Sequence, residues 1–259
     1  MKICVLVKQV PNEDAIIKLS SDGNEIIEDN LTFCTNEPDT YALEEALLIK
    51  EKHPDCEVVV CTMGGDSALQ ILKEALAKGA DRAILINNDF DNIDPLNSGK
   101  IIAHTLKTEN FNLILSGLQS DDSGHSQTGI IISEILDMTH AALVVGLNIE
   151  SNGKIKVKKE LEGGCFQWAE MNLPSSLSIQ SGLNKPRYAS LKGIMGAKKK
   201  QIDRYSLDDL GIDIPPPNIK AEKMYIPEKS KQTKYLEGDT DSIVEELIKI
   251  LKEDIKAIN

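Results

Sequence analysis

The run Gly117-Leu118-Gln119-Ser120-Asp121-Asp122-Ser123-Gly124-His125-Ser126-Gln127-Thr128-Gly129 gathers the side chains with the most capacity for chemistry in this chain. It follows Phe111–Ser116, which reads as a strand, and precedes an apolar helix through Ile130–Leu136. A turn of small and hydroxyl residues directly before a helix sets free N–H groups and the positive end of the helix dipole beside Ser, Gln and Thr donors. That is the chemistry of an anion seat, with phosphate as the expected anion. The chain has no G-x-x-x-x-G-K-[ST] and no G-x-G-x-x-G after its first strand, so backbone and hydroxyl donors are expected to hold the phosphate without a lysine. A strand, small-residue turn and helix also occurs with no ligand at all, and the pattern by itself leaves that structural reading open.

A reaction centre is not legible. Asp121, Asp122, Ser123 and His125 are the residue types of a nucleophilic triad, but triad members converge from separate elements, so loop polarity and capping account for them better. His53, His104 and His140 stand alone, without H-x-x-x-H or a cysteine partner at metal-ligand spacing. Glu44-Glu45 and Asp208-Asp209 are expected on solvated faces rather than as a paired acid and base. Five cysteines, Cys4, Cys34, Cys56, Cys61 and Cys165, form no C-x-x-C and are expected as buried free thiols of a reducing compartment. Asn184–Lys200 carries Lys185, Arg187, Lys192, Lys198, Lys199 and Lys200 and no acid, and is expected as an exposed basic segment.

The elements that must position these residues follow from composition and periodicity. With 259 residues, 41% apolar and 27% charged, the chain has enough apolar side chain for a core, which excludes a disordered protein. The net charge of −12 argues against a general nucleic-acid binder. No run approaches the ~20 apolar residues of a membrane span, and the N-terminus reads as a first buried strand of a cytoplasmic protein. Strand and helix then alternate in the manner of a parallel sheet: strand Lys2–Lys8, a hairpin through Ile16–Leu19 and Glu25–Ile27, helix Pro38–His53, strand Glu57–Met63, and a helix capped by Asp66 and ended by Gly79. Strand Arg82–Ile86, a loop rich in Asp and Asn, a helix begun at Asp94-Pro95 and the strand before Gly117 complete about four parallel strands before residue 140. From Ala141 to Ile179 the period becomes 2, with Asn152-Gly153 as a turn, which predicts an antiparallel annex. After Tyr205 periodicity fades until a helix from Asp241 through Ile243, Val244, Leu247, Ile248, Leu251 and Ile255, which predicts an arm laid on another chain. In such a sheet ligands sit at the carboxyl ends of the strands: after Lys8, at Asn36-Glu37-Pro38-Asp39, at Met63-Gly64-Gly65, and in the Gly117–Gly129 loop.

Val157-Lys158-Lys159-Glu160-Leu161-Glu162-Gly163-Gly164 resembles the signature of the electron-transferring flavoprotein beta subunit. So do Val5-Leu6-Val7-Lys8, Leu43-Glu44-Glu45-Ala46-Leu47, Ala75–Arg82, Gly117-x-Gln119, Gln127-Thr128-Gly129 and Asn184–Leu191, in order from residue 1 to about 212. The tail around Lys223–Glu228 is most similar to members that serve amine dehydrogenases. The resemblance implies a Rossmann-like, adenine-nucleotide-binding α/β domain over 1–205 and a C-terminal arm and helix over 206–259 that packs on an alpha subunit. It implies a heterodimer whose alpha subunit makes most contacts to one FAD, while this chain holds a structural AMP and has no turnover of its own. Carried over residue by residue, the AMP contacts are Leu6, Asn36, Glu37, Pro38, Asp39, Met63, Gly117, Gln119, Ser120, Asp121, Asp122, Ser123, Gly124, His125, Ser126, Gln127 and Thr128. The basic segment 184–200 becomes a recognition loop for an acyl-CoA or amine dehydrogenase, with Leu191 as apolar anchor, Lys192, Lys198, Lys199 and Lys200 around it, and Glu160 facing the flavin domain. A quinone oxidoreductase or other acceptor lies downstream, in the cytoplasm or an organelle matrix.

Bifurcating members bind a second FAD in place of AMP and carry Asp-Gly-Asp-Thr in the phosphate loop and Asp-Thr after the preceding strand. Here Asp122-Ser123-Gly124-His125 and Asp94-Pro95 stand instead, which favours AMP. No aromatic lies near Glu13, where some relatives set one against the flavin. An adenine-nucleotide module of similar fold is a third reading, but it lacks its Ser-Gly-Gly-x-Asp-Ser or triphosphate loop.

Overall fold

The structure is a computed structural model that describes every residue except 88–92, 151–152, 213, 220, 228–232, 255–256 and 258–259. The Asp/Asn loop, Asn152 of the expected turn, Glu228 and Ile255 therefore lie outside the described residues. The chain forms two units, Met1–Lys223 and Met224–Asn259.

The first unit is built on strands β1 (Lys2–Leu6), β4 (Glu57–Gly64), β5 (Arg82–Asn87), β6 (Leu113–Gly117), β7 (Thr139–Ile149), β8 (Lys154–Glu160), β9 (Phe166–Asn172), β10 (Ser175–Ile179) and β11 (Ile202–Tyr205), in the order β11-β5-β4-β1-β6-β10-β7-β8-β9. β2 (Gln9–Pro11) and β3 (Phe33–Thr35) pair separately, and a single bridge from Leu19 to Ile26 marks the expected early hairpin. Helices α1 (Glu37–Lys52), α2 (Leu69–Lys78), α3 (Pro95–Lys107) and α4 (Thr128–Ile135) connect the strands, followed by α5 (Leu191–Ala197) and α6 (Leu207–Leu210).

The pleat sorts the apolar runs onto two faces. Ile3, Val5, Val58, Val60 and Leu85 join the core under α1 and α2, whereas Cys4, Leu6, Val59, Cys61, Ile84 and Ile86 join the one under α3 and α4. Burial on both faces is why these strands read as continuous apolar runs rather than alternating ones. From β1 the chain moves outward through β4 to β5, then α3 carries it back past β1 to β6. Neighbouring crossovers leave β1 and β6 in opposite directions, which opens a crevice at their carboxyl ends.

Three expectations are corrected. The 141–179 region is antiparallel only at β7-β8-β9; β10 inserts between β6 and β7 and runs parallel to both, so it continues the main sheet. Gly65, not Asp66, stands before the turn that leads into α2, and the Asp66 carboxylate instead accepts from Arg204 of β11 at 2.9 Å. All five cysteines are free, but Cys34 is half-buried and Cys165 exposed.

In the second unit α7 (Thr240–Lys249) is capped by Asp239, whose carboxylate accepts from the Ser242 N–H at 2.9 Å. It buries none of its residues, and Val244, Leu247 and Ile248 are exposed.

Candidate functional site

At the crevice between β1 and β6 lies a cavity of about 350 Å³. Its walls come from the ends of β1, β4 and β6, the start of α1, one face of α3 and the loop into α4. A cavity of this size suits a small nucleotide or similar ligand.

The crevice is framed by two side chains at the start of α1. Asp39 is buried, and its carboxylate accepts from the Lys8 N–H and the Gly117 N–H, both at 2.8 Å. One carboxylate thus ties the ends of β1 and β6 to one helix start. Burial pushes this carboxyl up to about 7, against the pull of the two N–H donors. Asn36 receives the Asp121 N–H on Oδ1 and donates from Nδ2 to the Gln119 carbonyl, each at 2.9 Å, which pins the loop after β6. Gly117 makes the close approach possible: a Cβ there would stand 2.7 Å from Pro38 Cβ and 2.8 Å from the Asp39 nitrogen.

Leu6, Cys61, Met63, Ile93 and Ile102 supply apolar lining on one side of the cavity, and Ser120, Ser123, Ser126, Gln127 and Thr128 supply donors on the other. No side chain caps the first turn of α4, so its leading N–H groups are available to an anion. Thr62 Oγ1 and Ser116 Oγ are buried in the lining without a partner. Buried hydroxyls of this kind are usually satisfied, so a polar ligand or water belongs beside them. Apolar wall, helix N-terminus and unpartnered hydroxyls together could take a ligand with an apolar body and an anionic group.

Of the residues expected at the ligand, Leu6, Asn36, Asp39, Met63, Gly117, Gln119, Ser120, Ser123, His125, Ser126, Gln127 and Thr128 line the cavity. Glu37, Pro38, Asp121, Asp122 and Gly124 are outside the lining: Glu37 is exposed and its N–H donates to Asp121 at 3.3 Å, while Pro38 is buried beside Gly117. Lys8, which was not among the expected residues, also lines the cavity, and its ammonium reaches Asp122 at 2.7 Å. Ser116, Thr62, Cys61 and the α3 residues Pro95, Ser98 and Ile102 also line it and were missed. Only the place of Lys8 at the carboxyl end of the first strand pointed to it in the sequence.

The basic segment is partly a helix. Leu191 opens α5, capped by Ser190 accepting from the Gly193 N–H at 3.0 Å, and stands 83% exposed with Tyr188 and Met195. Lys192, Lys198 and Lys199 are exposed, but Lys200 donates to the carbonyls of Leu76 at 2.9 Å and Ala80 at 2.5 Å and closes the end of α2. Glu44 and Glu45 are not solvated as expected: buried Glu44 accepts from the Arg187 N–H at 3.0 Å and from its guanidinium at 2.8 Å, and Glu45 accepts from Asn184 at 3.0 Å. Glu160 ends β8 and accepts from Gln180 at 3.3 Å. Among the described residues no cluster of His, Cys, Asp and Glu could hold a metal, and no helix is long and apolar enough to cross a membrane.

Residues 24–210 match the family described as "Electron transfer flavoprotein domain". The chain is 38% identical to the electron transfer flavoprotein subunit beta of Methylophilus methylotrophus over 98% of both chains. It is 33% identical to that of Bacillus subtilis over 100% of both. A subunit of the caffeyl-CoA reductase-Etf complex of Acetobacterium woodii is 35% identical over 82% of this chain and 80% of its own length. The chain therefore belongs to the electron transfer flavoprotein family, among its beta subunits.

Proposed function

We propose that this chain serves in a heterodimeric electron carrier, holding AMP as a structural ligand in the β1/β6 crevice while an alpha-type chain makes most of the contacts to FAD. The cavity between the strand ends and the start of α4 carries the reading, because it joins an apolar wall, an uncapped helix N-terminus and unpartnered hydroxyls in one place. FAD, when bound in the complex, supplies the electron-accepting chemistry. The residues of this chain orient and hold: Asp39 and Asn36 fix the crevice, the first turn of α4 receives a phosphate, and Leu191 with Lys192, Lys198 and Lys199 presents an apolar tip ringed by charge to a dehydrogenase. A small exposed anchor with steering charges suits a carrier that must dock and leave often. The C-terminal arm beyond residue 205, with the apolar stripe of α7, is the segment that lies on the alpha chain.

A second reading, a bifurcating subunit with FAD in the crevice, draws on the relative from a reductase complex. Nucleotides released from the purified heterodimer and quantified by mass spectrometry separate the two. One AMP and one FAD per heterodimer is the expected result; two FAD and no AMP establishes the second reading in its place.

A further inference from the structure

A second cavity, of about 420 Å³, lies away from the crevice, between α2 and α5 and against the start of β11. α5 presses on α2 at Gly193, where a Cβ would stand 2.1 Å from the Ala77 carbonyl oxygen, and Ala77 also lines the space. The rest of the apolar wall is Ala189, Ile194, Ala197 and Ile202, aliphatic throughout. Four charged side chains complete the lining: Lys73 and Glu74 of α2, Lys198 at the end of α5, and Lys200.

These charges do not balance. Glu74 is paired with Lys78, 2.7 Å away on its own helix. Lys73 and Lys198 are exposed and reach no carboxylate among the described residues. Lys200 is half-buried, and its ammonium donates to the carbonyls of Leu76 at 2.9 Å and Ala80 at 2.5 Å. An ammonium carries three N–H donors, so one remains after both carbonyls are served. Burial pushes this amine below its ordinary range, and an anion beside it would favour the charged form. Closing the end of α2 accounts for two donors of Lys200, but not for two further ammoniums set around an aliphatic wall.

We propose that the α2–α5 cavity binds an aliphatic carboxylate, with the carboxylate among Lys200, Lys73 and Lys198 and the chain laid on Ala189, Ile194, Ala197 and Ile202. The volume falls within the range of small-molecule sites. A wall without an aromatic ring offers contact to a chain rather than stacking to a flat ring. Lysine ammoniums are point charges that take a carboxylate without demanding the planar geometry of a guanidinium fork. The site lies outside the crevice and does not depend on what the crevice holds.

The test titrates octanoate calorimetrically into the full heterodimer, with acetate probing the contribution of the chain and octylammonium that of the charge. Octanoate is expected to saturate at one per heterodimer and to bind at least about tenfold more tightly than either. Ala189→Leu fills the cavity and is expected to weaken octanoate at least about tenfold. The double variant Lys73→Met, Lys198→Met is expected to weaken it about tenfold at low salt and to narrow its preference over octylammonium. Bound nucleotide and the unfolding midpoint report that each variant is folded; should Ala189→Leu fail that check, the double variant decides. Lys200 is left in place because it also closes α2. Octanoate binding unchanged in the folded variants overturns the proposal, and so does octylammonium bound as tightly as octanoate. Failure of octanoate to saturate overturns it as well; if Ala189→Leu then slows reduction by the dehydrogenase, the cavity belongs to an acidic side chain of that partner.

Discussion

Asp39 is the residue on which the crevice turns, and its burial has a consequence for stability. A carboxyl whose native pKa is raised binds more protons folded than unfolded between its ordinary value and about 7, so it contributes less stability as pH rises through that window. Asp39→Asn keeps one acceptor and removes the charge. The variant's stability relative to wild type is therefore expected to rise by roughly 1–3 kcal/mol from about pH 5 to about pH 8, on the scale of ~1.4 kcal/mol per pKa unit. Urea unfolding of both proteins at the two pH values reads it, and a constant difference contradicts it. If the exposed Leu191 is the docking anchor proposed above, Leu191→Ala removes a contact worth ~1–3 kcal/mol and is expected to slow reduction by the dehydrogenase at every salt concentration. Charge reversal at Lys198 and Lys199 is expected to lower the association rate at low salt only, because screening removes long-range steering. Stopped-flow reduction across a salt series distinguishes the two effects.

Among the elements, α1 does two jobs. Its first turn holds the crevice through Asn36 and Asp39, and its middle holds the basic segment through Glu44, Glu45 and Glu51. Arg187→Ala leaves Glu44 buried without its cation, which is expected to destabilise the protein by about 3 kcal/mol, and Arg187→Lys, unable to reproduce the fork, to recover only part of that. Denaturant midpoints measure both. Gly117→Ala sets a Cβ 2.7 Å from Pro38 Cβ, so the start of α1 has to shift away from β6. The expected result is a loss of about 1–3 kcal/mol together with loss, on purification, of the AMP proposed above. A variant that retains AMP and wild-type stability removes the close approach of α1 as a determinant of the crevice.

At the scale of the whole molecule, the second unit leaves Val244, Leu247 and Ile248 of α7 exposed among the described residues. Deleting residues 224–259 is expected to leave the unfolding free energy of the first unit within about 0.5 kcal/mol of its full-length value while weakening association with the alpha-type chain at least tenfold. Sedimentation of mixed chains measures the second effect, and association as tight as the full-length pair would exclude the arm from the interface.

Short-range order carried much of this protein in its sequence. The runs Ile3–Leu6, Val58–Cys61 and Ala83–Ile86 are strands in any parallel sheet because both faces are covered, and Asp94-Pro95 starts a helix through a local cap in which Asp94 accepts from the Asn97 N–H at 2.8 Å. The loop before α4 was legible for the same reason, since an uncapped helix start next to hydroxyl residues is a property of neighbours in the chain. The tertiary structure decided what depends on partners far apart. Lys8 meets Ser120 across 112 positions and Arg187 meets Glu44 across 143, so neither pair leaves a trace in local periodicity, and Glu44 read as solvated until its cation was in place. β10 reads as part of an antiparallel annex until the sheet inserts it between β6 and β7, because strand direction is set by the connection that returns the chain and not by the alternation of its residues. Lys200 belongs to a basic run in sequence, but the open carbonyls at the end of α2 lie within its reach, and satisfying them takes it out of the exposed set.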